Sequence, residues 1–135
     1  MERNAYGMMV RLEGERTMDE AIAQVTAALK EVGFGILTRI DVKETFRAKL
    51  DVDFRPYVIL GACNPHLAHE ALTAEPQLGL LLPCNVVVQK HEDGIEVSFV
   101  RPDAMFSMVD NPELNEAAGA AGERLEQALA SLTEG

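Results

Sequence analysis

Apolar and polar positions along the chain alternate between two rhythms, one that suits helices and one that suits strands. Ala5 to Leu12 (AYGMMVRL) is an apolar run between polar residues and predicts the first strand. Thr17-Met18-Asp19-Glu20 then fits a capping box, with the Thr17 hydroxyl accepting from the Glu20 amide and the Glu20 carboxylate accepting from the Thr17 amide. Met18, Ile22, Val25, Leu29 and Val32 recur behind it at three- and four-residue spacing, while Asp19, Gln24, Lys30 and Glu31 take the other side. That is an amphipathic helix lying on a sheet. Gly33 stands where a left-handed C-terminal cap belongs. Ile36, Thr38, Ile40 and Val42 alternate against Arg39 and Asp41, which predicts a half-exposed strand over Gly35 to Val42. Val42, Phe46 and Leu50 lie four apart, so Lys43 to Leu50 predicts a short helix that docks its apolar side.

The middle of the chain is more apolar. After Arg55-Pro56, the run Tyr57 to Cys63 (YVILGAC) predicts a strand buried on both faces or lying at an oligomer interface. Asn64-Pro65 is a helix start in the favoured order, Asn as N-cap and Pro as first helical residue, and Pro76 stops that helix. Leu78 to Val88 is a second apolar run, interrupted by Pro83. Asp93-Gly94 is a hairpin signal ahead of the alternating Ile95, Val97 and Phe99. Pro102-Asp103 opens a short apolar turn or helix, and Asn111-Pro112 repeats the cap grammar before a closing helix. Its stripe includes Leu114, Ala118, Ala121, Leu125 and Leu129. Gly119 and Gly122 lower helix propensity there, which points to a close backbone approach by the sheet or by another subunit. The order of elements predicts one α+β domain, with a mainly antiparallel sheet and helices packed on one face.

Composition narrows the partners. A net charge of -10 in 135 residues opposes nucleic acid and anionic membranes, whose phosphates would repel the chain. No apolar run reaches the roughly 20 residues of a bilayer span, and the amino terminus leads into the first strand without a signal-like apolar region. Two cysteines make no disulfide framework, so a cytoplasmic protein with reduced thiols is expected.

Taken together, the segments TMDEAIAQVTAALKEVGFGILTRIDVKETFRAKL, YVILGACNPHLAHEAL and GLLLPCNVVV make the chain similar to the "domain of unknown function 302" family, from about Gly7 to Met105. The resemblance implies a β-α-β(4)-α fold like that of the TATA-binding protein, and a homodimer. It implies no established activity, no catalytic residue carries over, and the cofactor stays open.

Candidate chemistry concentrates in the paired Cys63-Asn64 and Cys84-Asn85. If the strands that carry them are antiparallel neighbours, both cysteines come to one edge of the sheet. Cys63 also precedes a helix N-terminus, where unpaired amides favour a thiolate. The competing reading is that both thiols are packed as small hydrophobes. His66, with Cys63 and Cys84, raises a zinc or copper site, although neither spacing nor ligand count matches a zinc motif. The amides of Asn64 and Asn85 either present donors and acceptors to a ligand or cap backbone groups. Asp41, Glu44, Asp51 and Asp53 match no calcium loop and suit a solvated surface. The leading expectation is a non-enzymatic binding domain that holds a small molecule or ion near Cys63, Asn64, Cys84 and Asn85. A thiol-dependent enzyme or redox sensor using Cys63, and a purely structural dimeric module, are the alternatives.

Overall fold

The capping box closes as the sequence predicts. In a computed structural model that describes residues 1–133, the Thr17 hydroxyl accepts from the Glu20 amide at 3.0 Å and the Glu20 carboxylate accepts from the Thr17 amide at 3.1 Å. Helix α1 (Met18–Glu31) follows, burying Ala21, Ile22, Val25 and Leu29. Gly33 ends the turn with φ of 87°, a conformation that favours glycine.

Six strands form one antiparallel sheet: β1 (Glu2–Arg3), β2 (Gly7–Leu12), β3 (Gly35–Asp41), β4 (Tyr57–Cys63), β5 (Cys84–His91) and β6 (Gly94–Val100), in the spatial order β1-β2-β6-β5-β4-β3. Beneath the short β1 pairing, the sequence of β2, α1, four strands and a last helix is the expected β-α-β(4)-α. The remaining helices are α2 (Val42–Leu50), α3 (Pro65–Ala74), α4 (Pro102–Phe106) and α5 (Leu114–Ser131), with a 3-10 turn over Pro76–Leu81.

Strand alternation sends one set of side chains to the helices. Val10, Val97, Val88 and Val58 stand opposite one another across four strands and are all buried beneath α1 and α5. Val25, Leu29, Leu125 and Leu129 meet them from the helix side in one continuous core. Ala71, Leu78, Phe106 and Leu114 build a second, smaller core under α3, α4 and the start of α5. The other face of the sheet carries no helix layer of that kind. Met9, Ser98, Val87, Ile59 and Ile40 stand in register across it, partly or fully exposed.

Several expectations change in detail. A β-bulge shifts the register between Ile36 and Thr38, so Ile36 lies opposite Ala62 and Thr38 opposite Gly61. Ile36 and Ile40 therefore do not share a face, because the extra residue, Leu37, flips the alternation. Helix α2 buries none of its residues, and Leu50 stays 64% exposed instead of docking. What holds α2 is its first turn and one aromatic contact: Asp41 accepts from the Glu44 amide, Lys43 pairs with Asp53 at 3.0 Å, and the Phe46 ring meets Phe54 edge-on with centroids 5.1 Å apart. The second apolar run splits at Pro83 into a 3-10 turn and β5. The β5–β6 turn centres on Glu92-Asp93, since Gly94 already pairs with His91. Asn111 does not cap α5, whose N-cap is Glu113 without a side-chain cap bond; it stands two residues earlier, its Oδ1 accepting from the Glu113 amide in a turn and its Nδ2 donating to the Ala74 carbonyl at the end of α3. Gly119 meets no atom within 4 Å of where a Cβ would stand, so no close approach explains it.

Candidate functional site

The β4 and β5 ends come together by register. Ala62 stands opposite Cys84, so the end of β4 and the start of β5 share one edge, as the paired cysteines suggested. Helix α3 begins immediately after β4 because Asn64 caps it, its Oδ1 accepting from the Leu67 amide at 3.1 Å, with Pro65 in the first turn. The helix then runs away from the sheet edge while α5 passes alongside. A cleft of about 280 Å³ opens between these elements.

Its walls are apolar. Phe34 and Ala62 come from the sheet side, Leu67 and Ala71 from α3, and Phe106 and Ala121 from α4 and α5. Leu82, Pro83 and Cys84 close the β5 end. Small alanines on α3 and α5 leave the space, and Leu37 at the bulge and Leu72 on α3 rim it with exposed apolar surface. Leu37 is 67% exposed, an unusual position for leucine in a strand.

Cys63, Asn64 and Cys84 all line this cleft, so the structure brings together three of the four residues singled out in the sequence. Asn85 is not among them. It is exposed on the other face, opposite Gly61, in a shallow surface with Tyr57 and Ser98. The reason is the strand period of two: the residue after a helix-facing Cys84 must face away.

Asn64 is the single buried polar or charged side chain among the described residues, at 4% exposure. Its oxygen serves the helix. Its Nδ2 donates to no acceptor among the described residues and lies 3.0 Å from where a Gly33 Cβ would stand. Gly33 thus has a second role the sequence did not show: it leaves room beside the Asn64 amide.

The two thiols are free. Burial pushes the Cys63 thiol up, and burial with the Cys63 charge nearby pushes Cys84 up to about 11 from 9.0. Desolvation therefore favours the protonated form of both thiols at neutral pH. The upward shift is the one that desolvation imposes on a thiol. It also has a sign. A folded-state pKa above the unfolded one gives stability that is complete below about pH 9 and is lost as pH rises toward about 11. The loss from Cys84 should be roughly 2 kcal/mol. Urea unfolding at about pH 8 and about pH 11 checks it: Cys84→Ala should flatten the alkaline decline, and an unchanged slope would refute the assignment.

His66 and His69 are both exposed on α3. Among the described residues no three His, Cys, Asp or Glu side chains converge as metal ligands, so Cys63, His66 and Cys84 form no such group. Of the acidic set, Asp41 caps α2, Asp53 pairs with Lys43 and Asp51 with Arg47, while Glu44 is exposed. No helix among the described residues is long and apolar enough to cross a membrane.

An antiparallel six-stranded sheet, layered by helices on one face and notched by an apolar cleft at one end, defines the class: a small α+β domain with its candidate site at a strand–helix junction. The chain belongs to the family described as "Domain of unknown function DUF302", whose model matches residues 10–132. A solved structure described as uncharacterized conserved protein DUF302 from Bacillus stearothermophilus is similar at 31% identity and a TM-score of 0.83. The match covers 92% of this chain and 95% of that one. No curated protein matches the chain.

Proposed function

We propose that this domain is a non-enzymatic binder of a small apolar molecule, held in the cleft between α3, α5 and the ends of β4 and β5. The observation that carries the reading is the cleft itself, about 280 Å³ lined by side chains such as Phe34, Leu67, Ala71 and Phe106. Ligand sites are mostly apolar concavities with few polar groups, and drug-sized ligands occupy about 300–1,000 Å³. At about 280 Å³ this cleft lies just below that range and suits a correspondingly small molecule. The upward shift of both thiols, caused by burial, supports a binding role over a nucleophilic one. A cytoplasmic setting is proposed with it, where a reducing poise keeps two thiols free.

Displacement of an uncharged, environment-sensitive naphthylamine fluorophore tests the reading. The wild type should enhance its emission, and Ala68→Phe, at a half-buried cleft position, should abolish the enhancement with little change in melting temperature. Equal enhancement by both proteins would sink the proposal.

A second reading concerns assembly. The row Met9, Ser98, Val87, Ile59 and Ile40 is a mainly apolar strip on the uncovered sheet face, flanked by Arg11 and Glu96. A face that carries an apolar centre and both signs of charge suits a second copy of itself, and we propose a homodimer through it. Native mass spectrometry of freshly purified protein reports both retained ligand and oligomeric state. A monomer at micromolar concentration would end the dimer reading alone.

A further inference from the structure

Two donors beside Gly33 supply the polar end that the apolar cleft lacks. A Cβ on Gly33 would crowd Asn64 Nδ2 at 3.0 Å and stand 3.9 Å from an Arg124 guanidinium nitrogen, so the bare glycine leaves both donors uncovered on that side. Neither donor has another occupation: Asn64 Nδ2 and Arg124 make no hydrogen bond or ion pair among the described residues. Asn64 is nine-tenths buried and lines the cleft, so one side chain belongs to both the apolar space and the donor pair. Two hydrogen-bond donors, one of them a permanent cation, thus stand near Gly33, and Asn64 is the one of them that lines the apolar cavity.

From this we infer that the ligand is a small amphipathic carboxylate, its apolar body in the cleft and its carboxylate over Gly33, held by Asn64 Nδ2 and Arg124. The inference rests on the apolar-cleft reading and adds the chemistry of the head group. Arg favours carboxylates because its planar fork is always charged and donates in parallel. The Asn64 oxygen is already taken by the Leu67 amide, which fixes Nδ2 as the end that faces an acceptor. The negative charge of the whole chain does not oppose this strongly, since charges beyond about 10 Å are screened at ordinary ionic strength and Arg124 is local. Helix α3 adds its N-terminus at Asn64, where the peptide dipoles favour an anion.

Three probes of nearly equal shape separate the contributions: hydrocinnamate, its uncharged ketone analogue benzylacetone, and butylbenzene. Each competes against the same fluorophore, with the wild type, Asn64→Ser and Arg124→Gln. Serine keeps a capping oxygen and removes the amide donors, so the helix start survives. Hydrocinnamate should bind the wild type roughly 10-fold more tightly than benzylacetone, the margin of a charged over a neutral hydrogen bond. That margin should fall to near unity in Arg124→Gln and shrink in Asn64→Ser, while butylbenzene affinity stays the same in all three proteins. In the wild type alone, hydrocinnamate should shift the Asn64 side-chain amide resonances and butylbenzene should not, a readout that needs no variant to fold. Benzylacetone binding as tightly as hydrocinnamate, or an Arg124→Gln protein that keeps the full margin, overturns the carboxylate and leaves the apolar cleft standing. If none of the three displaces the fluorophore, the cleft reading fails and takes this inference with it.

Discussion

Gly61→Ala should destabilise the protein by about 2–3 kcal/mol, the upper part of the range for overpacking a filled interior. Gly61 is buried in the middle of the sheet's last rungs, opposite Thr38 on β3 and Asn85 on β5. An ideal Cβ there would lie 2.2 Å from Thr38 Oγ1 and 2.6 Å from Pro83 Cγ. Neither distance is tolerable, and the two neighbours differ in how they can respond. The Thr38 hydroxyl can swing to another rotamer, although a β-branched residue in a strand has few. The Pro83 ring cannot rotate away, since it is closed on its own backbone. Relief therefore requires the start of β5 to shift, and Leu82, Pro83 and Cys84 are one wall of the cleft. Stability and fluorophore binding should fall together. Adding Thr38→Ala removes the shorter contact and leaves the ring, so the double variant should recover part of the loss and not all of it. Urea midpoints for the two single variants and the double complete the cycle. A Gly61→Ala protein as stable as the wild type would show that the ring is not fixed as described.

Leu125→Ala should cost about 2–5 kcal/mol and lower the melting temperature by on the order of 10 °C. Leu125 is fully buried on α5, between the sheet and α1, in the larger of the two cores. Removing it leaves a cavity whose walls are a helix pair and a paired sheet, which have little freedom to collapse inward. Domains of this size keep only about 5–15 kcal/mol in total, so this single truncation takes a large share. Leu80→Ala is the matched control, because Leu80 is 82% exposed on the 3-10 turn and its truncation removes almost no buried surface. Thermal melts of the pair should differ clearly. If Leu125→Ala melts with Leu80→Ala, α5 is not clamped on the sheet as its burial indicates.

Much of the architecture could be read from local signals whose physics is complete within a few residues. The capping box at Thr17–Glu20 needs only its own four residues, and it forms. Asn64-Pro65 needs only a helix to follow, and Asn64 caps one. The fold class follows from the same logic, since an amphipathic period commits one face to burial before any partner is known. Expectations failed where a partner across space decided. Leu37 gives no sign in sequence that it is an extra residue, because a bulge is defined by the register of the strand beside it. Phe46 and Leu50 hold helical spacing, yet α2 lies at the sheet's edge strand, where Phe54 meets Phe46 and Leu50 stays exposed.

The candidate site divides the same way. Cys63 and Cys84 were legible as neighbours because an antiparallel pair returns the chain to the same edge, and Ala62 opposite Cys84 realises it. Asn85 was grouped with them by proximity in sequence, but strand alternation turned it to the open face. Arg124 gave no signal at all. It lies 60 residues from Asn64, looks like any exposed helical arginine, and matters only because α5 brings it over Gly33.

By itself, then, the sequence determined which segments coil and which extend, where two helices start, and which apolar stripes must be covered. Those outcomes depend on backbone preferences and on the period of a side-chain pattern, both of which act between near neighbours. Only the tertiary structure decided that α3, α5 and two strand ends leave a cleft, and that Asn64 Nδ2 and an Arg124 guanidinium nitrogen both stand close to Gly33. A cavity is what packing leaves unfilled. It belongs to no segment, so no segment announces it.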